Sequence, residues 1–231
     1  MMHVGWHAYA AGAGQEIGHA GGAWKRGLDV VVAVLALVLL SPLFLIAALA
    51  VRLDSRGPVL FRQERVGLGG TPFLMLKFRS MRNGASEQAH VDTAAAWFAG
   101  TSKVRGYKSN HDPRITRIGR LLRRTSVDEL PQLFNVLRGE MSVVGPRPAI
   151  PYELAHYKGW YFQRFATRPG MTGLWQVSGR ELRSAAEMMD LDVRYVRSCS
   201  LGLDLLLLLL TVPALLGFAP GAHLLHERQN R

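Results

Sequence analysis

Asp128 and Glu129 are adjacent carboxylates between a basic pair, Arg123-Arg124, and an apolar stretch that opens at Leu130. An ionised carboxylate can attack phosphorus or bind a hard cation, and two side by side can divide such tasks with proton transfer. Chemistry of that kind needs an anionic partner and cations to hold it. Arg147 in Gly145-Pro146-Arg147-Pro148 and Arg168 before Pro169-Gly170 each set a guanidinium on a rigid turn. An arginine fork grips phosphate oxygens two at a time. Lys77 and Arg79 add cations on one face of a β-rich run, and Arg123 adds one just upstream of the acids. Each cation alone also fits an ordinary solvated surface; their repetition around one acidic pair is what points to phosphate.

A helix is expected to position the acids. Leu130, Leu133, Phe134 and Leu137 recur at i, i+3, i+4 and i+7, Pro131 falls in the first turn, and Gly139 ends the pattern. Its first N–H groups and dipole would favour an anion. Ser126-Val127-Asp128-Glu129 also reads as a capping box, in which both carboxylates only stabilise the helix start. The capping and phosphate-site alternatives are compatible with each other.

The chain has 231 residues, 48% of them hydrophobic, enough for one substantial core. A formal charge of +11 calls for an anionic partner: nucleic acid, anionic lipid or a phosphate-rich substrate. Cys199 is the only cysteine, which excludes an intrachain disulfide. Residues 1–24 are Gly/Ala-rich, carry His3, His7 and His19 at no metal-ligand spacing, and read as a mobile tail.

Lys25 and Arg26 lead into an apolar run from Val30 to Val51 that is long enough for a bilayer. It exceeds a signal-peptide core. Ser41-Pro42 interrupts it, because proline removes an N–H and clashes with the carbonyl of Val38. A kinked spanning helix and a re-entrant one both tolerate that break. Basic residues on both flanks, Lys25 and Arg26 before and Arg52, Arg56, Arg62 and Arg65 after, favour two cytoplasmic ends and hence a re-entrant helix over residues 25–52.

Two strands are expected around Gly67-Leu68-Gly69-Gly70, a hairpin turn with no Gly-Lys-Ser/Thr to make a phosphate loop. In residues 83–111, Trp97 and Phe98 fit a membrane contact, a lid or, more simply, a surface insertion. From Pro113 to Arg124, Ile115, Ile118, Leu121 and Leu122 make one helical face and Arg117, Arg120 and Arg124 the other, which suits an anionic membrane surface or a core-facing helix with a wet basic side. The apolar segment accounts for the charge without nucleic acid. Asp192 sits in a helical pattern, and Leu203 to Leu216 is too short to span and reads as buried or interfacial.

The fragments KRGLD, SP, FRQERVG, KFRSM, DPRIT, TSVDELPQL, MSVVGPRP, RPGMTG and LDVRYV follow one another between Lys25 and Leu216. In that order they resemble the bacterial sugar transferases, the monotopic polyprenyl-phosphate phosphoglycosyl transferases. The first 24 residues, the segment between Met81 and Asp112 and the leucine-rich end depart from the pattern. The resemblance implies an α+β monotopic membrane protein, mainly helical with a small β-hairpin, a re-entrant helix kinked at Ser41 and Pro42, and interfacial amphipathic helices. A cytoplasmic catalytic domain would occupy residues 53–216 and a C-terminal tail residues 217–231, at the cytoplasmic face of the bacterial inner membrane. The implied reaction moves a sugar phosphate from a UDP-sugar to a polyprenyl (undecaprenyl) phosphate and releases UMP. Asp128 would carry the phosphosugar covalently; Glu129 would activate the lipid phosphate and, with Asp128, hold Mg²⁺. Lys77, Arg79, Arg123, Arg147, Arg168 and Asp192 are the expected substrate-binding residues. UDP-sugar, polyprenyl phosphate and anionic lipid are the expected partners, nucleic acid is not, and a homo-oligomer is left open. The alternative is a non-catalytic membrane-surface module that binds anionic lipid.

Overall fold

In the computed structural model, which describes residues 22–82, 88–101, 114–179, 184–216 and 218–221, the apolar run folds as two helices. Helix α1 spans Gly22–Leu39 and α2 spans Ser41–Asp54, bent by 65° at the break. Pro42 lies in the first turn of α2, where a missing N–H costs little. The Val38 carbonyl that proline leaves without a backbone partner accepts the Ser41 hydroxyl at 2.8 Å. No single helix among the described residues is long and apolar enough to cross a membrane. The expected tail lies almost wholly outside the described residues, as do His3, His7, His19 and most of residues 217–231.

Both roots of the bent pair are bolted to one body. Lys25 Nζ donates to Asp204 Oδ2 at 2.5 Å and to the Tyr195 hydroxyl at 2.8 Å. Arg26 donates to the Val136 and Leu137 carbonyls at 2.5 and 2.7 Å. Asp29 Oδ1 accepts from Ser142 Oγ and from the Val143 N–H, each at 2.8 Å. Lys25, which flanks the apolar run in the sequence, is thus an internal anchor only 4% exposed. Between the roots, Val31, Leu35, Val38, Leu39, Leu45 and Ile46 stand exposed.

Strands β1, Leu60–Val66, and β2, Pro72–Phe78, form the expected antiparallel hairpin, with Leu60 opposite Phe78 and Val66 opposite Pro72. Its alternation feeds two cores: Met75 enters the main one, while Phe78 joins Ala47, Val51 and Leu122 in a smaller one. The open edge of β2 is closed by a side chain. Asn135, fully buried, accepts the Leu76 N–H at 3.0 Å and donates to the Leu74 carbonyl at 2.8 Å.

Helix α3, Gln88–Phe98, is part of the core. Trp97 is buried in the main core and Phe98, partly buried at its edge, stacks on His156 with ring centroids 5.7 Å apart; the rest of the expected insertion over residues 83–111 lies largely outside the described residues. Helix α4, Arg117–Thr125, is capped by Thr116, which accepts the Gly119 N–H at 2.9 Å. It buries Leu122 but leaves Leu121 exposed, contrary to the face expected. Helix α5 spans Gln132–Arg138 and ends at Gly139, whose φ of 79° is the left-handed cap the sequence calls for.

A second sheet joins β3, Ser142–Val144, in parallel to β4, Gly170–Thr172. The two Pro/Gly turns therefore lie against each other: Gly170 N–H donates to Pro146 O at 2.7 Å, and a Cβ on Gly170 would meet the Gly145 nitrogen at 2.0 Å. Helices α6, Leu174–Val177, α7, Ala185–Ser198, and α8, Leu201–Leu215, complete the body. Helix α8 buries Asp204 and Leu207 on one side and exposes Leu205, Leu209 and Val212 on the other. The fold is thus mainly helical with two small sheets.

Candidate active site

The acidic pair rides a strained turn. Helix α4 ends at Thr125, and Ser126 takes φ 58°, ψ 14°, the only non-glycine residue at positive φ among the described residues. A side chain in that region costs on the order of 1 kcal/mol, and such strain collects at functional positions. The chain then makes one tight turn, Val127–Glu129, in which Glu129 N–H donates to Ser126 O at 3.1 Å. Helix α5 begins only at Gln132, after Pro131. The capping box does not form: Ser126 makes no side-chain cap bond, and it closes α4 in place of opening α5. Neither carboxylate therefore caps α5 through that box. Asp128 is 4% exposed.

The hairpin brings a cation to this turn. Lys77 Nζ meets Glu129 Oε1 at 3.0 Å, with both side chains about one-fifth exposed (20% and 21%). Such a lysine neutralises the second acid and is placed to share a phosphate arriving beside it. Arg123, in the last turn of α4, is half-buried; its carbonyl accepts the Ser126 N–H at 3.4 Å, and its guanidinium makes no hydrogen bond or ion pair among the described residues.

The remaining expected ligands are held elsewhere. Arg79 is buried, and its Nη2 donates to Ser55 O at 2.6 Å, Ser55 Oγ at 3.0 Å and Val51 O at 3.3 Å. It ties the carboxyl end of α2 to the end of the hairpin, which corrects the expectation that it faces substrate beside Lys77. Arg168 Nε donates to Gly139 O at 2.7 Å and, with Arg26, satisfies the carbonyl end of α5. Arg147 is 13% exposed at its side chain, and its Nη1 donates to Glu153 Oε1 and Oε2 at 3.1 and 3.2 Å; Glu153, fully buried, also accepts the Ile150 N–H at 3.0 Å. Asp192 is 1% exposed and paired with Arg164 at 2.5 Å. Burial pushes its pKa up to about 6, against the lowering pull of Arg164 and Arg147. Asp192, expected among the substrate-binding residues, is thus engaged with Arg164 inside the body.

Arg164, Glu153, Tyr157, Asn135 and Asp204 carry much of this support and went unselected in the sequence. Asp204 alone left a trace, as the one acid in a leucine run. Among the described residues no cluster of three or more His, Cys, Asp or Glu side chains makes a ready metal cage. Two adjacent hard-oxygen donors fit a cation that takes one or two carboxylates and completes its shell from substrate phosphates and water.

A family model described as bacterial sugar transferase matches residues 20–217. The chain is 47% identical over 202 residues to a UDP-glucose:undecaprenyl-phosphate glucose-1-phosphate transferase of Caulobacter vibrioides, covering 83% of this chain and 69% of that one. It is 42% identical over 200 residues to the exopolysaccharide production protein ExoY of Rhizobium meliloti, covering 84% and 86%. A UDP-galactose-lipid carrier transferase of Erwinia amylovora is 44% identical over 192 residues, 83% of this chain but 40% of that longer protein. The match across residues 20–217, with relatives above 40% identity over most of both chains, makes the protein a member of the bacterial sugar transferase family.

Proposed function

We propose that the protein transfers a sugar phosphate from a UDP-sugar to undecaprenyl phosphate, releasing UMP, at the cytoplasmic face of a bacterial inner membrane. The observation that carries this reading is the strained Ser126 turn, which sets Asp128 and Glu129 together with Lys77 against Glu129. The names of the relatives supply the substrate class, and they make UDP-glucose and UDP-galactose the first donors to test.

Asp128 attacks the sugar-bearing phosphorus: a carboxylate oxygen–phosphorus bond forms, and the bond to the UMP oxygen breaks with its electron pair leaving on UMP. An oxygen of the undecaprenyl phosphate then attacks the same phosphorus and returns Asp128 to its carboxylate. Glu129 takes the proton of that lipid phosphate when it arrives as the monoanion. Lys77 and Arg123 neutralise the diphosphate oxygens, and Arg147 shares an outer guanidinium edge while Glu153 holds it. Asp128 and Glu129 would hold Mg²⁺, which supplies further neutralisation of the diphosphate.

The bent helix pair serves the lipid substrate. Its exposed apolar tip suits one leaflet, and fixation of both roots to one body favours entry and exit on the same side. The basic face of α4, with Arg117, Arg120 and Arg124, is suited to anionic headgroups.

The test uses UDP-sugar without lipid acceptor. Wild-type protein is expected to gain the mass of one phosphosugar and release UMP, and Asp128→Asn to do neither. Release of UMP only when both substrates are present would mean direct transfer and would remove the nucleophile's role from Asp128.

A further inference from the structure

We infer that the buried pair of Arg164 and Asp192 is a positioning device that sets the turn at Arg147 by gripping that residue's backbone from both sides. This rests on the proposed role of Arg147 as a phosphate ligand. Arg164, 2% exposed, lies in the 3-10 segment Gly159–Ala166, and Asp192 lies on α7. One nitrogen, Arg164 Nη2, donates to Asp192 Oδ2 and to the Arg147 carbonyl, each at 2.5 Å. The Arg147 backbone N–H faces the Asp192 carboxylate and lowers its pKa. Arg164 Nη1 is fixed by the Tyr157 hydroxyl at 2.5 Å.

The local sequence explains why the turn needs such a grip. Pro146 and Pro148 flank Arg147 and lack N–H groups, so the N–H of Arg147 is the only backbone donor between Gly145 and Ala149. Strand β3 has ended at Val144, so no sheet ladder holds the residue. Helix α7 replaces the ladder with one face: Asp192 meets Arg147, and Tyr195, three residues on, donates to the Val144 carbonyl at 3.2 Å. A buried ion pair is a poor stabiliser compared with well-packed apolar residues. Its reach to the backbone polar groups on both sides of one residue is what apolar packing cannot reproduce. Lysine in place of Arg164 has no fork to join Asp192, Tyr157 and Arg147 at once.

A displacement of the order of 1 Å in a binding group can cost about a hundredfold in rate. Arg164→Lys is therefore expected to slow UMP release from UDP-glucose by roughly ten- to a hundredfold in otherwise wild-type protein. In an Arg147→Ala background the same change should slow it by less than about twofold, because a device acting through Arg147 has nothing left to position. Arg197→Ala, which removes an exposed link between the same two elements at Gln163, should leave turnover unchanged. Additive losses in the two backgrounds, or full activity in Arg164→Lys, would overturn the inference. Where Arg164→Lys does not fold, Tyr157→Phe and Asp192→Asn carry the same comparison. Hydrogen exchange at the Arg147 amide separates this from failure of the proposed reaction. Should the wild type release no UMP from any UDP-sugar, that reaction falls; exchange at Arg147 in Asp192→Asn no faster than in wild type would sink the grip by itself.

Discussion

Two buried ion pairs touch α7 within one turn of each other, and they hold different things. Lys25 and Asp204, with Tyr195 between them, join the start of α1 to α8. Arg164 and Asp192 hold the peptide of Arg147. Both are nearly solvent-free, with side chains 5% and 0% exposed in the first pair and 1% each in the second. The first fixes an apolar arm to the body, so its loss should appear as stability and docking. The second fixes a site residue, so its loss should appear as turnover. Similar burial and length thus say little about what a pair is for; the groups at its edge decide.

The chemistry itself sets the scale for that contrast. Asp128→Asn should lower turnover by at least about a thousandfold with little change in melting, as loss of a covalent nucleophile does. A comparable fall in both activity and melting would place Asp128 with the structural acids.

Next in size is Asp204→Ala, which leaves Lys25 charged, buried and unpaired at a cost of about 3 to 5 kcal/mol. Chemical denaturation in detergent should show that loss, while turnover per folded molecule stays near wild type. A specific drop in turnover like that of the Arg147-turn variants would erase the distinction between the two pairs. The double change Lys25→Met with Asp204→Leu should restore stability to within about 1 to 2 kcal/mol of wild type, because an apolar pair avoids the desolvation cost. Continued instability would show that the hydrogen bonds to Tyr195, not the charges, secure the arm.

Acidification sharpens the contrast further. Arg164 and Arg147 face Asp192, with Tyr157 on the far nitrogen of Arg164, and burial pushes the Asp192 pKa up to about 6. Its folded value exceeds the unfolded one, so as pH falls through 6 the folded state takes the proton first. This carboxyl then favours folding in acid and penalises it above pH 6. What acid removes is the anionic acceptor at Arg147. Turnover should fall by up to about tenfold from pH 7 to pH 5 without acid unfolding from this source. The lipid phosphate titrates near the same pH, so the decisive measurement is the difference between wild type and Asp192→Asn. The variant should lack the Asp192 part of that fall, and identical profiles would remove Asp192 from the pH response.

The smallest effect is expected at the kink. Ser41→Ala removes the hydroxyl that satisfies the Val38 carbonyl and should cost about 1 kcal/mol, read by denaturation in lipid nanodiscs, with turnover nearly unchanged. A larger loss would show that the break, and not only the two roots, holds the arm in place.

Much of this was legible because it was local. The sequence by itself determined the break at Ser41-Pro42, the hairpin over residues 60–78, the glycine stop at Gly139 and the adjacency of Asp128 and Glu129, since proline geometry, strand alternation and the left-handed glycine cap act within a few residues. The ordered motifs also carried the family. What the structure alone decided concerns partners far apart in the chain. The capping box failed because Ser126 turned left-handed to close α4, so the helix beyond the acids starts only at Gln132. Lys77 reached Glu129 across 52 positions and Lys25 reached Asp204 across 179. Arg79 and Arg168 looked like phosphate ligands because charge and turn chemistry are visible in sequence, whereas the helix carbonyls they satisfy are not. Buried carbonyls and unpaired peptide groups must find donors wherever packing leaves them, and only the assembled body determines where those groups lie.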